Sequence, residues 1–361
     1  MSYTFSFTPS IVRNLQIIER VRENIRLTIM PPLLAEELRR QAHIRSTHYS
    51  TRIEGNRLTL KETGEVIQQR KTFSSRERDV HEVERYYQAI QKTESWVTAR
   101  KGITTARIRK IHALLYYGKG AKATAWRDGQ NVIRTASGEI VYMPPEAADV
   151  PALMNELLEW ANSNVDTLPI PVIAGIAHYQ LETIHPFYDG NGRSGRMLTT
   201  WILYRGGYDL GKFYALEEFY AKDLQGYYEA LITHPHHNYY FGRNEADITS
   251  WLDYFLRGMA QIFEQVAEEV AQHTAKDNAP QISDTLLRQL DVRARRIVGL
   301  FLKQETIQST DVAGILGVST RQARNLLSQW VEAGWLVIAD PSKKGRKYSL
   351  AEKYQKFLLL E

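Results

Sequence analysis

The residues with the clearest chemical potential lie in one short run, 184–196, which reads I-H-P-F-Y-D-G-N-G-R-S-G-R. His185 can act as a base near neutral pH, because an unperturbed imidazole titrates at about 6.5. Asp189 is a hard oxygen ligand suited to Mg²⁺. Gly190, Asn191 and Gly192 form a permissive turn whose successive backbone N–H groups can converge on an anion. Arg193 and Arg196, three apart, share one face if a helix begins at the turn. The free N–H groups and positive dipole end of that helix then point at the same anion. Ser194 and Gly195 lie between the two arginines. Together these groups suit a polyphosphate with a hydroxyl to be activated beside it.

A lone His-Pro or a lone D-G-N-G is ordinarily a tight turn, but both followed by R-x-x-R are poorly explained that way. The run resembles the Fic family motif H-P-F-x-D-G-N-G-R-x-x-R at every defined position. The resemblance implies transfer of AMP from ATP-Mg²⁺ to a Tyr, Ser or Thr hydroxyl of a protein, the work of a nucleotidyltransferase. It gives His185 the role of base and Asp189 that of Mg²⁺ ligand. Gly190, Gly192 and the Asn191 side chain cradle the phosphates, with Ser194 and Gly195 on the same turn. Arg193 stabilises the phosphates, and Arg196 holds the γ-phosphate. Phe187 anchors the loop in the core.

Other stretches extend the resemblance. Ser50…Glu54-Gly55 matches the family's inhibitory helix motif, S/T-x-x-x-E-G/N. A carboxylate at a helix C-terminus faces the negative end of the dipole, so Glu54 calls for a cation. The resemblance implies that the cation is Arg196. Residues 131–134 and 139–142 read as a hairpin, and W-R-D-G-Q-N-V-I followed by Y-M-P-P resembles the Fic flap. Its edge, including Val132 and Ile133, would hold an extended target segment by main-chain pairing. Tyr227 and Tyr228 resemble a Tyr-Tyr pair bordering the adenine.

These groups need rigid elements to hold them. Apolar residues recur at helical spacing in 33–49, 58–96 (Val80, Val83, Tyr86, Ile90), 103–117, 147–163, 173–184, 197–204 and 248–270. The most apolar, 173–184, leads into the motif as a central buried helix. His178 on it is expected to be a hydrogen-bonded core residue. Residues 1–30 are weakly patterned, and 272–280 read as a polar linker. His234, His236 and His237 read as a solvated loop rather than a metal site.

From 281 the chain reads differently. It carries 13 Lys and Arg against 8 Asp and Glu, whereas the other 280 residues balance at 33 each, so the whole net charge of +5 lies here. Helices at 292–302, 309–317 and 321–333, then strands at 335–338 and 347–350 around Lys343-Lys344-Gly345-Arg346, resemble a winged helix. Arg321, Gln322, Arg324 and Asn325 would face outward, toward DNA bases or a partner chain.

The 361 residues have room for two or three domains, and 43% hydrophobic with 24% charged content suits a soluble globular protein. The chain has no cysteine, which excludes disulfides and thiolate metal sites. No apolar run spans a bilayer, and Met1 to Phe5 lack the features of a secretory leader, so a cytoplasmic protein is expected. The expected fold is mainly α: a Fic-type helical core with a small β-hairpin flap and a C-terminal winged helix-turn-helix domain. The expected divisions are 1–95 (N-terminal helices with the inhibitory motif), 96–271 (catalytic core) and 281–361 (winged helix). The expected activity is a protein adenylyltransferase acting on a target and on itself, autoinhibited by Glu54, with ATP and Mg²⁺. A homodimer and DNA contact remain open. So do AMP removal, other Fic phosphotransfer, and a nucleotide-sensing DNA-binding regulator, although an intact His185 argues against pure sensing.

Overall fold

The computed structural model describes residues 2–28, 30–134, 138, 140–276, 289–302, 304–342 and 345–355. One apolar cluster runs from Ile11 to Val270, and a second from Leu290 to Tyr354.

At the centre of the first cluster is a helical hairpin, α7 (Ile170–Ile184) followed by α8 (Asn191–Arg205). Nearly every residue of α7 is buried, as its all-round apolar sequence requires. Around the pair lie α2 (Pro32–Ile53), α4 (Glu77–Thr98), α5 (Thr105–Tyr117), α6 (Val150–Ser163) and the long α11 (Thr249–Lys276). The short helix α3 (Leu60–Gln69) starts at a capping box in which Thr59 and Glu62 satisfy each other's backbone N–H groups. Short helices α9 (Glu217–Lys222) and α10 (Leu224–Ala230) carry the aromatic-rich stretch.

Four expectations change. The weakly patterned start contains α1 (Pro9–Leu27), which packs along α11. Its buried stripe Ile11, Asn14, Ile18, Val21 has helical spacing, but Asn14 and the many exposed charges mask it. The stretch 58–96 is two helices, α3 and α4. The division at 95/96 falls inside α4, and residues on both sides of it share one core. Helix α11 runs to Lys276, through half of the expected linker.

Strands β1 (Ile133–Arg134) and β2 (Ile140–Tyr142) form a small antiparallel ribbon with Ile133 opposite Tyr142. The expected turn at 135–137, and residue 139, lie outside the described residues. The Tyr142 hydroxyl donates to the Thr183 carbonyl at 2.8 Å and pins the ribbon to α7.

The C-terminal cluster joins α12 (Val292–Val298), α13 (Ser309–Leu316), α14 (Thr320–Glu332) and the antiparallel pair β3 (Leu336–Asp340) and β4 (Lys347–Leu350). A turn containing the left-handed Gly317 joins α13 to α14, whose Ser319 forms a capping box with Gln322. A short helix, α15 (Glu352–Gln355), follows. Trp330 and Trp335 are buried in this core, while Arg321, Gln322, Arg324 and Asn325 are exposed. Lys343 and Lys344 lie outside the described residues. Among the described residues, no helix is long and apolar enough to cross a membrane.

Candidate active site

The hinge between α7 and α8 builds the site. His185 caps α7 in the left-handed region, at φ 51° and ψ 60°. That conformation is uncommon for a residue with a Cβ, and it turns the chain abruptly out of the helix. The His185 Nδ1 donates to the Glu182 carbonyl at 3.3 Å, which leaves Nε2 as the basic nitrogen. Burial holds the imidazole down at about 4, so the ring is neutral and able to accept a proton at neutral pH. Pro186 and Phe187 follow, and Phe187 stacks on His112 with ring centres 3.7 Å apart. Phe187 thus anchors the loop.

Gly190 begins α8 with φ 79°, a conformation that glycine adopts freely. The Gly190 N–H donates to Asp189 Oδ1 at 2.6 Å, and His112 Nε2 donates to the Asp189 carbonyl at 2.7 Å. The Asp189 carboxylate itself is 59% exposed. Among the described residues, no group of three or more His, Cys, Asp or Glu is placed to hold a metal ion. A single exposed carboxylate fits Mg²⁺, which takes one or two carboxylates and completes its shell with water and substrate phosphates.

Several expected phosphate ligands have protein partners. The Asn191 side chain turns back on the loop. It accepts from the Phe187 N–H at 2.9 Å and donates to the Phe187 carbonyl at 2.8 Å. One amide matches both polar groups of a single backbone unit, so it clamps the loop instead. The Ser194 hydroxyl is also spent, donating to the Gly190 carbonyl at 2.8 Å. Arg193 is buried and donates to Glu82 on α4 at 2.6 Å, with Asp189 3.7 Å away. Glu82 also accepts from Asn56, two residues beyond Glu54. Gly195 leaves room for Glu182, whose Oε1 lies 2.7 Å from the place a Cβ would take. That oxygen is buried without a hydrogen-bond partner among the described residues, and burial pushes the carboxyl up to about 8.

Arg196 is buried and meets the end of α2. It donates through Nε to the Ser50 hydroxyl at 2.8 Å, and through Nη2 to the Ser50 carbonyl at 3.1 Å and the Glu54 carboxylate at 2.7 Å. Burial opposes its charge, yet Glu54 beside it holds the guanidinium above its usual range. Glu54 Oε1 also lies 2.7 Å from the place where a Cβ on Gly192 would stand. The carboxylate therefore sits against the first turn of α8, where an incoming anion would bind. Gly55, at φ 90°, follows the end of α2.

The two tyrosines separate. Tyr227 is buried, its hydroxyl hydrogen-bonded to His178 Nε2 at 2.9 Å, so it belongs to the core and not to a base-stacking wall. His178, also bonded to Thr199, is the expected core histidine. Tyr228 is half exposed, and partial burial together with the nearby Glu54 carboxylate pushes its hydroxyl above the usual tyrosine range. Val132 and Ile133 are partly exposed at the ribbon. Sequence reasoning missed Glu82, His112, Arg127 and Glu182. Glu82 and His112 fall on buried helical stripes, between Asp79, Val83 and Tyr86 and beside Ile108 and Ile111, where a polar residue is itself a signal.

Residues 102–203 match the Fic/DOC family. The chain is 30% identical over 173 residues to a protein of Drosophila willistoni named protein adenylyltransferase Fic, and 32% identical to its namesake in Aedes aegypti. Each alignment covers 47% of this chain, which spans about a third (34%) of the length of these relatives. The fold is similar to that of a Fic family protein from Desulfovibrio desulfuricans, with a TM-score of 0.62 and 24% identity over 98% of this chain and 99% of that one. It is also similar to Fic-1 from C. elegans, with a TM-score of 0.57 and 19% identity over 74% of each chain.

Proposed function

Because the chain carries a Fic/DOC family domain over residues 102–203, we propose that it transfers AMP from ATP to a Tyr, Ser or Thr hydroxyl of a protein and that Glu54 restrains it. The observation that carries this reading is the neutral His185 beside an α8 N-terminus whose anion position is taken by the Arg196-paired Glu54.

His185 Nε2 takes the hydroxyl proton as the oxygen attacks the α-phosphorus. The bond from that phosphorus to the β-phosphate oxygen breaks, and pyrophosphate leaves. The N–H groups at the start of α8 stabilise the charge on the α-phosphate. Asp189 would hold Mg²⁺, which lowers the charge on the phosphates. Arg196, released from Glu54, receives the γ-phosphate. Arg193 acts through its positive field from its Glu82 pair. Tyr228 is the tyrosine placed to border the base. The open ribbon edge at Val132 and Ile133 would hold the target segment by main-chain pairing.

The nearness of Glu54 to the anion position also supports a second reading, AMP removal, in which this carboxylate positions a water. Incubating the purified protein with α-labelled ATP and a lysate, then mapping the label, tests transfer. Release of AMP from a labelled target by the unsubstituted chain, without new labelling, would favour removal.

For residues 290–355 we propose DNA contact, with Arg321, Gln322, Arg324 and Asn325 of α14 facing the groove and the β3–β4 hairpin on the phosphates. Helix, turn and hairpin geometry and the exposure of these side chains support it.

A further inference from the structure

Arg127 is 2% exposed, and its four side-chain hydrogen bonds all end on carbonyl oxygens. Nε donates to His185 at 2.9 Å, Nη1 to Gly129 at 3.1 Å, and Nη2 to Pro145 and, at 3.4 Å, to Ile184. The Arg127 backbone N–H adds a bond to the Pro186 carbonyl at 3.0 Å. Two of these carbonyls, Ile184 and His185, belong to the C-terminus of α7, where the helix dipole is negative. The other two, Gly129 and Pro145, flank the ribbon of β1 and β2 on either side.

We propose that Arg127 is a positioning residue that ties the catalytic histidine and both feet of the ribbon into one frame. The base and the main-chain edge that presents a hydroxyl are then placed by the same guanidinium. This proposal rests on the AMP-transfer reading for its functional half.

Burying a guanidinium is costly unless its donors are satisfied. A planar fork with five N–H groups can reach carbonyls in several directions, whereas a lysine ammonium is a point charge with three. The left-handed backbone at His185 carries strain that its surroundings must offset. The Arg127 bonds to the carbonyls before, at and after this residue supply that restraint. A misplacement of about 1 Å between hydroxyl and base can cost on the order of a hundredfold in rate. A purely structural arginine would not make the ratio of the two acceptors, protein hydroxyl and water, depend on it.

The test compares the full chain with Arg127→Lys and Arg127→Met. Hydrogen exchange of the amides of residues 129–134 and 140–143 needs no ligand and should rise about tenfold or more in both variants, while α11 amides stay protected. With ATP-Mg²⁺ and a lysate, labelled protein per pyrophosphate released should fall about tenfold, and the ATP Kd should stay within about threefold. Unchanged exchange at 129–134 and 140–143 would overturn the clasp. Equal loss of labelling and pyrophosphate release would overturn the functional half and leave Arg127 a stability residue. If neither the unsubstituted chain nor its Glu54→Gly variant labels anything, the AMP-transfer reading fails, while the exchange result still decides the clasp. Should neither variant fold, the unsubstituted protein decides: the clasp requires slowly exchanging Arg127 guanidinium protons, and fast exchange refutes it.

Discussion

Arg196 on α8 donates a 2.7 Å hydrogen bond to the carboxylate of Glu54, 142 residues earlier at the end of α2. The guanidinium is almost wholly buried, while the carboxylate keeps 24% of its side chain exposed. One partner is therefore held rigidly and the other can be withdrawn. With Ser50 bound to the same arginine, the pair lies against the first turn of α8.

Glu54→Gly should raise protein labelling, including self-labelling, because it frees Arg196 for the γ-phosphate. Restored alignment of the α-phosphate should raise rate more than it changes ATP affinity, on the order of a hundredfold. Adding Arg196→Ala should remove the gain. Equal rates for the parent and Glu54→Gly proteins at saturating ATP would sink the inhibitory role.

His185→Ala should lower transfer by about 10²–10⁴-fold and leave ATP-Mg²⁺ binding nearly intact, since the base touches the hydroxyl and not the phosphates. With burial holding the ring at about 4, His185 is already neutral at pH 5 and above. The rate of the Glu54→Gly protein should thus show no His185-dependent rise between pH 5 and 8 and should fall toward pH 4. A midpoint near 6.5 in the pH–rate profile would contradict the burial of this imidazole.

Asn191→Ala should destabilise the fold by about 1–3 kcal/mol, since it removes the bonds Asn191 makes to both polar groups of buried Phe187 and leaves the Phe187 N–H unpaired among the described residues. Denaturant titration checks this. A phosphate-contacting asparagine would behave differently, with weaker ATP binding and unchanged stability.

Glu182 should make stability fall with rising pH. Its carboxyl is pushed up to about 8 by burial, above the ordinary glutamate value of about 4.3. Between those values the folded chain keeps a proton that the unfolded chain has released, so unfolding becomes easier as pH rises. Glu182→Gln removes this dependence and should gain stability over the parent at pH 8 relative to pH 5. Midpoints that differ equally at both pH values would show that the carboxyl is not held neutral.

DNA binding by the full chain should weaken steeply with salt, with a slope of log K on log salt of about −0.9 per phosphate contacted. Arg321→Glu with Arg324→Glu should abolish it. Absence of binding to any duplex at low salt would leave α14 as a protein-contacting face.

Local order in the sequence determined much of this protein. The 184–196 run specifies the turn, the helix start and the histidine, because glycine positions and helical spacing act over a few residues. The charge of Glu54 at a helix end called for a cation, and Gly317 and Ser319 marked the joint between α13 and α14. The use of each polar group was decided by tertiary structure. Arg193 meets Glu82 because α4 crosses α8, Asn191 turns back on Phe187 because the loop folds over it, and Arg127 gathers carbonyls from α7 and both feet of the ribbon. Helix α1 gains its place mainly from α11. Periodicity reports which face of a helix is buried, whereas the partner of a buried polar side chain depends on which distant backbone or charge the packing brings within about 3 Å.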